Sequence, residues 1–171
     1  MKKTLLIVFF LLLPANLNAE NISKVYFAGG CFWCMEESFD KVNGVIETIS
    51  GYSGGHVKNP KYKDVVKNTT GHYETLEITY NSSITNFEKL LEIYWINIDP
   101  FDADGQFCDK GESYKSVVFF ENSDQKKIVE ASIKNIENKF NKEVVTYIKK
   151  FKEFYIAETY HQDYYEKNFI R

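Results

Sequence analysis

A chain of 171 residues with 44% hydrophobic and 26% charged side chains has material for one hydrophobic core, not for two ordinary domains. Its net charge of −3 excludes a basic, phosphate-seeking surface, so no nucleic-acid partner is expected. The aromatic share of 16%, with 12 Tyr and 14 Phe, is high for a soluble protein and suggests that some rings line a recognition surface.

The first nineteen residues read as a secretory signal peptide: MKK is a short positive start, TLLIVFFLLLP a continuous apolar run, and ANLNA ends on a small residue. Cleavage after Ala19 would give a mature domain of residues 20–171 starting at Glu20. The apolar run is too short to span a bilayer comfortably, so no stable membrane association is expected once the leader is removed. Losing Lys2 and Lys3 leaves 19 basic against 24 acidic side chains, a net −5. The expected location is exported, in a bacterial periplasm.

KVYFA (24–28) reads as a buried strand ending in Gly29 and Gly30, and FWCMEESFDKV carries helix-spaced apolar positions up to a turn at Asn43 and Gly44. VIETISGY is a second strand, followed by a glycine-rich loop, SGGHVKNPKY, that Pro60 keeps irregular. HYETLEITY (72–80) alternates as a third strand. Thr85 and Glu88 form a capping box for a helix with an apolar stripe of Leu90, Leu91, Tyr94, Trp95 and Ile98. DPFDADGQFCDKGES is a loop, YKSVVFFE a fourth strand, and Ser123 caps a polar helix running towards Phe140. VVTYIKKF is a fifth strand, and the tyrosine-rich tail shows no clear period. Helices alternate with strands, but some strands follow one another directly, which predicts an α+β domain with a mixed sheet.

Three cysteines are an odd set, so at least one thiol is left for chemistry. Zinc is not expected, because Cys31 and Cys34 would need two further ligands that the scattered histidines do not supply at a usual spacing. Cys31 falls at the hinge between strand and helix, where free N–H groups and the helix dipole favour a thiolate. Gly29 and Gly30 would bend the backbone and leave an open approach to the sulfur. C-x-x-C at a helix start also suits a thiol–disulfide oxidoreductase using Cys31 and Cys34, although Phe32 and Trp33 between them are bulky and apolar enough to enclose an uncharged group. On the third strand Glu74 shares a face with Leu76, Ile78 and Tyr80, so its carboxyl would be desolvated, hold a proton near neutral pH and serve as a general acid. A nucleophilic thiol, an aromatic pocket and a proton donor point to a sulfoxide as the electrophile. A secreted binding module, needing none of these groups, is the remaining alternative.

GGCFWC with E-x-x-F and a Gly-Val turn, SGYSGG, NPKY, TGHYE, GQFCDKGESYKS after the Asp-Pro loop, and the closing AETYHQDY resemble the peptide methionine sulfoxide reductase A family over almost all of the mature chain. The resemblance implies a two-layer α/β domain with a ferredoxin-like core, and reduction of the S epimer of methionine sulfoxide, free or in proteins, without cofactor or metal. It implies Cys31 as the nucleophile that becomes a sulfenic acid and Glu74 as the acid. Phe32 and Trp33 become the walls around the substrate methyl group. Tyr62 and Tyr114 match hydroxyls that bind the sulfoxide oxygen, and Asp109 an aspartate of the same pocket. His72 and His161 are read as structural. The chain departs from the commonest pattern in having Cys34 where glycine is usual, and in lacking the cysteine-bearing extension beyond Arg171. The thiol that resolves the sulfenic acid is therefore Cys108 or Cys34, with Cys108 preferred for its adjacency to Asp109, or none. A thioredoxin-like reductant is the expected partner.

Overall fold

The computed structural model describes residues 21–168; the expected leader lies outside the described residues. Among the described residues, no helix is long and apolar enough to cross a membrane. In chain order, β1 (Ile22–Ala28) leads into α1 (Phe32–Phe39), β2 (Val45–Ser53), the short α2 (Tyr62–Val65) and β3 (Tyr73–Asn81). Then follow α3 (Phe87–Ile96), a ribbon of β4 (Gly105–Gln106) and β5 (Asp109–Lys110), β6 (Val117–Phe120), α4 (Ser123–Phe140), β7 (Tyr147–Lys150), β8 (Phe154–Ile156) and α5 (Tyr164–Asn168).

The main sheet has the order β7-β6-β1-β3-β2-β8. Its four inner strands are antiparallel neighbours joined through α1 and α3, the split β-α-β arrangement of a ferredoxin-like core. β7 adds in parallel beside β6 after the α4 crossover, and β8 closes the other edge against β2. The expected α+β class with a mixed sheet is the one observed.

Odd positions of β1 and even positions of β3 face the helices. Val25, Phe27, Leu76, Ile78 and Tyr80 pack with Met35 and Phe39 of α1, with Phe87, Leu90, Leu91 and Tyr94 of α3, and with Val129 of α4. The opposite face is covered as well, by rings from the segment after β7. Phe151 stacks on Tyr26 at 3.8 Å, and Phe154 joins the same cluster. For this reason β3 is buried at every position from Tyr73 to Tyr80, although its sequence alternates as a strand with one wet face would.

Both predicted helix caps shift by one residue. Asn86, not Thr85, has the extended backbone of an N-cap and accepts the Lys89 N–H at 2.9 Å; Asn122, not Ser123, accepts from Asp124 and Gln125. The tail expected to lack period contains β8 and α5, held by pairing rather than by its own pattern. β8 approaches β2 so closely that a Cβ on Gly51 would lie 2.3 Å from the Phe154 ring and 2.4 Å from the Tyr155 carbonyl oxygen. Gly51→Ala is expected to lower stability by about 1–3 kcal/mol, and to raise amide exchange at Ala157, whose N–H donates to the Ser50 carbonyl at 3.0 Å. Thermal unfolding and hydrogen exchange measure the two effects.

Candidate active site

The antiparallel order brings four distant stretches of chain to one end of the sheet. β1 ends at Ala28 beside the start of β6 at Val117, and β2 ends at Ser53 opposite the start of β3 at Tyr73. Cys31 follows β1, Tyr62 follows β2, Glu74 opens β3 and Tyr114 precedes β6. Fold topology therefore assembles the predicted residues without any of them being near neighbours in sequence.

Cys31 is the N-cap of α1, with φ −60° and ψ 119°, and its carbonyl accepts the N–H groups of Cys34 at 3.1 Å and Met35 at 3.3 Å. The first free donor of that helix is the Phe32 N–H, which reaches Glu74 Oε2 at 3.1 Å. Glu74 is 2% exposed. Burial pushes its carboxyl up to about 8; the Phe32 N–H opposes this, while charge at Asp109 and Cys34 adds to the rise. The expected protonated acid is thus present at neutral pH.

The two glycines before Cys31 do only part of the job expected of them. Both are buried: a Cβ on Gly29 would meet Ile98 and the Met35 sulfur at 2.8 Å, and one on Gly30, where φ is +83°, would lie 2.6 Å from Gln106 Cβ. Gly29 makes room for Ile98 and Met35, and Gly30 bends the chain as expected while letting the ribbon pack on the hinge through Gln106. Gln106 in turn locks the preceding loop, accepting the Asp99 N–H at 2.7 Å and donating to the Asp99 carbonyl at 2.9 Å.

The thiols also differ from expectation. Interaction with the Cys34 thiol, burial and the charge of Glu74 raise the half-buried Cys31 thiol, and the Cys34 N–H alone opposes them. The exposed Cys34 is lowered to about 6: the Cys31 donor is the largest influence, burial opposes it, the Tyr165 hydroxyl assists, and Asp109 opposes. Of the pair, Cys34 is the thiol whose ionisation its surroundings favour. Cys108, preferred from sequence as the resolving thiol, is exposed at the turn of the β4–β5 ribbon, whereas Cys34 is the thiol in contact with Cys31.

Tyr62 and Tyr114 hydrogen-bond through their hydroxyls, and both are raised chiefly by burial and then by the charge of Glu74. They remain O–H donors throughout the neutral range. Asp109 also acts on Tyr114. Phe32 is 1% exposed within a cluster of Tyr52, Val65 and Ala157, while the half-buried Trp33 stacks on Tyr164 with ring centroids 3.7 Å apart. Two grooves among the described residues are not lined by Cys31, one along the outer side of α1 beside Glu37, Asp40 and Glu166, the other beside His72 and Lys149.

The family model for peptide methionine sulfoxide reductase matches residues 23–171. The chain belongs to this family. It is 49% identical over 150 residues to the peptide methionine sulfoxide reductase MsrA of Listeria monocytogenes serotype 4b, covering 86% of this chain and 85% of that one. With the MsrA of Bacillus velezensis it shares 50% identity over 144 residues, covering 83% and 81%. Among solved structures it is similar to Mxr1 from Saccharomyces cerevisiae in its reduced form, with a TM-score of 0.80, 28% identity and 88% of both chains covered. It is also similar to methionine sulfoxide reductase A of Corynebacterium diphtheriae, with a TM-score of 0.79, 26% identity and 88% and 77% covered. The protein is an oxidoreductase of methionine sulfoxide.

Sequence reasoning missed the residues by which the tail holds this reductase site. Glu158 accepts the Tyr52 hydroxyl at 2.9 Å and the Tyr62 N–H at 3.2 Å, fixing the start of α2. Gln162 receives the Ser50 N–H at 2.9 Å and donates to the Ser50 carbonyl at 2.9 Å, like an added strand residue. Only the AETYHQDY resemblance marked this stretch, since its contacts have no sequence period. His161, read from the sequence as structural, is 2% exposed among Phe32, Trp33, Tyr62 and Tyr160. His72 is structural too: Nδ1 accepts the Gly55 N–H at 3.2 Å, so Nε2 donates to the Val57 carbonyl at 2.8 Å and pins the glycine-rich loop.

The raised Glu74 carboxyl carries a stability signature. Its value rises from 4.5 in the unfolded chain to about 8 in the fold, so between these limits the native state keeps a proton that the unfolded state has released. This contribution is complete below the lower limit and is lost as pH climbs through the upper one. Glu74→Gln keeps an acceptor for the Phe32 N–H but does not ionise. Its stability relative to wild type is expected to improve steadily across that window, by at most about 1.4 kcal/mol per pH unit, as measured by urea unfolding over a pH series.

Proposed function

We propose that this enzyme reduces the S epimer of methionine sulfoxide, free or within proteins, through a sulfenic acid on Cys31. The Cys31 sulfur attacks the sulfoxide sulfur as Glu74 delivers its proton to the oxygen. Oxygen passes to Cys31, the sulfur–oxygen bond of the substrate breaks, and methionine leaves with the electron pair. The proton of Cys31 has an acceptor ready in the negatively charged Cys34 sulfur. Tyr62 and Tyr114 donate hydrogen bonds to the sulfoxide oxygen, Asp109 helps to orient the pocket, and Phe32 and Trp33 enclose the methyl group. The observation that carries this reading is the 3.1 Å bond from the Phe32 N–H to a buried Glu74, which holds an un-ionised carboxyl at the helix start that Cys31 caps. A disulfide exchanger working by Cys31 and Cys34 alone would leave that carboxyl without a task.

We assign Cys34 as the resolving thiol. It attacks the sulfenyl sulfur, a disulfide forms, the S–O bond breaks, and the oxygen leaves as water. A thioredoxin-like dithiol then restores both thiols. The leader supports export to a periplasm, where such a donor must be fed with electrons across the membrane. Fractionation of the native host is expected to recover the enzyme there, starting at Glu20; recovery of an uncut cytoplasmic form would remove this assignment.

Turnover of a sulfoxide peptide with dithiothreitol is expected for the S epimer only. It should disappear in Cys31→Ser and fall about 10²- to 10⁴-fold in Glu74→Gln, the usual worth of a general acid. With a thioredoxin-like donor, Cys34→Ser should fail in addition, while Cys108→Ser turns over normally. Equal loss in Cys34→Ser and Cys108→Ser, or unimpaired turnover without any thiol donor, contradicts the scheme.

A further inference from the structure

The tail folds back over α1 and touches it at three consecutive contacts. Trp33 and Tyr164 stack with an interplanar angle of 8°; the Glu36 carboxylate accepts the Tyr164 N–H at 3.3 Å; and the Tyr165 hydroxyl lies 3.4 Å from the Cys34 sulfur. Glu36 is itself 2% exposed, and the Asp163 N–H is a second donor to it, from a residue whose φ of 52° makes the reversal into α5. A carboxylate on α1 therefore fixes the backbone of Asp163 and Tyr164, and so sets where the next side chain, Tyr165, can reach.

We propose that Tyr165 is a positioning residue for the resolving thiol: its hydroxyl donates to Cys34, holding that sulfur beside Cys31, and Glu36 anchors the segment that presents it. The inference rests on the reading of Cys34 given above. Donation by the hydroxyl agrees with its own rise to about 12, caused first by the Cys34 hydrogen bond. The ionisable groups acting on Cys34 are Cys31 before α1, Glu74 on β3, Asp109 on β5 and Tyr165 on α5. Asp109 disfavours a negative sulfur, whereas Cys31 and Tyr165 favour it as donors; Glu74 is itself raised by the Cys34 charge. When Cys31 becomes a sulfenic acid its S–H donor is gone. Tyr165 is then the thiol-proximal donor that persists through the resolving step, in which Cys34 and the Cys31 sulfur join and water departs.

Tyr165→Phe removes one oxygen and keeps the ring. In the full-length enzyme, the thiolate absorbance of the Cys31–Cys34 pair should move to higher pH. After one equivalent of S-sulfoxide, disulfide formation should slow about fivefold near pH 5.5, where the ionised fraction limits attack. The difference should close only at a pH high enough to ionise Cys34 in both proteins. The first burst of methionine should keep its wild-type rate. In a Cys34→Ser background the Tyr165→Phe change should leave the absorbance of the two remaining thiols, Cys31 and Cys108, unmoved, which a merely structural role would not require. Wild-type titration and wild-type disulfide kinetics in Tyr165→Phe overturn the proposal, as does an equal shift in the Cys34→Ser background. Absence of a methionine burst from wild type would instead refute the sulfenic acid scheme, with the titration still deciding the Tyr165–Cys34 contact.

Discussion

The structure depends on a carboxyl group that has been taken out of water and bound to the first free N–H of a helix. Glu74 meets Phe32 at the point where β3 begins and α1 starts, one residue from Cys31. Desolvation and the backbone donor act in opposite directions on its proton, and desolvation wins. The result is a proton source next to a sulfur, held by main chain rather than by a flexible partner. Such a group is costly to fold as an ion, which is why the strand carrying it is sealed on both faces.

The seal comes largely from the end of the chain. Phe151 and Phe154 cover the face of the sheet away from the helices, β8 pairs with β2, and Glu158, His161, Gln162 and Tyr164 each engage residues of the site or its supports. The central βαββαβ unit supplies the positions of Cys31 and Glu74; the tail supplies their dryness and the setting of Tyr62, Trp33 and Cys34. Ring packing, the β8 pairing and hydrogen bonds to buried partners together hold its path.

The distribution of charge over the two thiols follows from the same geometry. Cys31 looks towards Glu74 and is half-buried, and both features resist ionisation. Cys34, one helical turn on, is exposed and receives two donors. Ionisation is therefore favoured on the second sulfur by side-chain donors, whereas the helix N–H of Cys34 acts on Cys31. In the scheme proposed above, the same neighbourhood serves Cys34 as proton acceptor for Cys31 before oxidation and as its partner afterwards.

Composition, strand alternation and the helix-spaced apolar positions were enough to determine one α+β domain, the order of its main elements, and a sulfur at a strand-to-helix hinge with a carboxyl on an inward strand face. These signals are local: each is a period or a neighbour relation that the chain carries wherever it folds. The family resemblance added Tyr62, Tyr114 and Asp109, which no period distinguishes among twelve tyrosines and many acids. Tertiary structure alone decided that Asn86 and Asn122 cap their helices, that Gly30 makes room for Gln106, that ionisation is favoured on Cys34, and that Cys34 rather than Cys108 acts on Cys31. Each of those outcomes turns on the distance between groups far apart in sequence or on the burial of one of them, and burial and distance exist only once the sheet has brought its strand ends together.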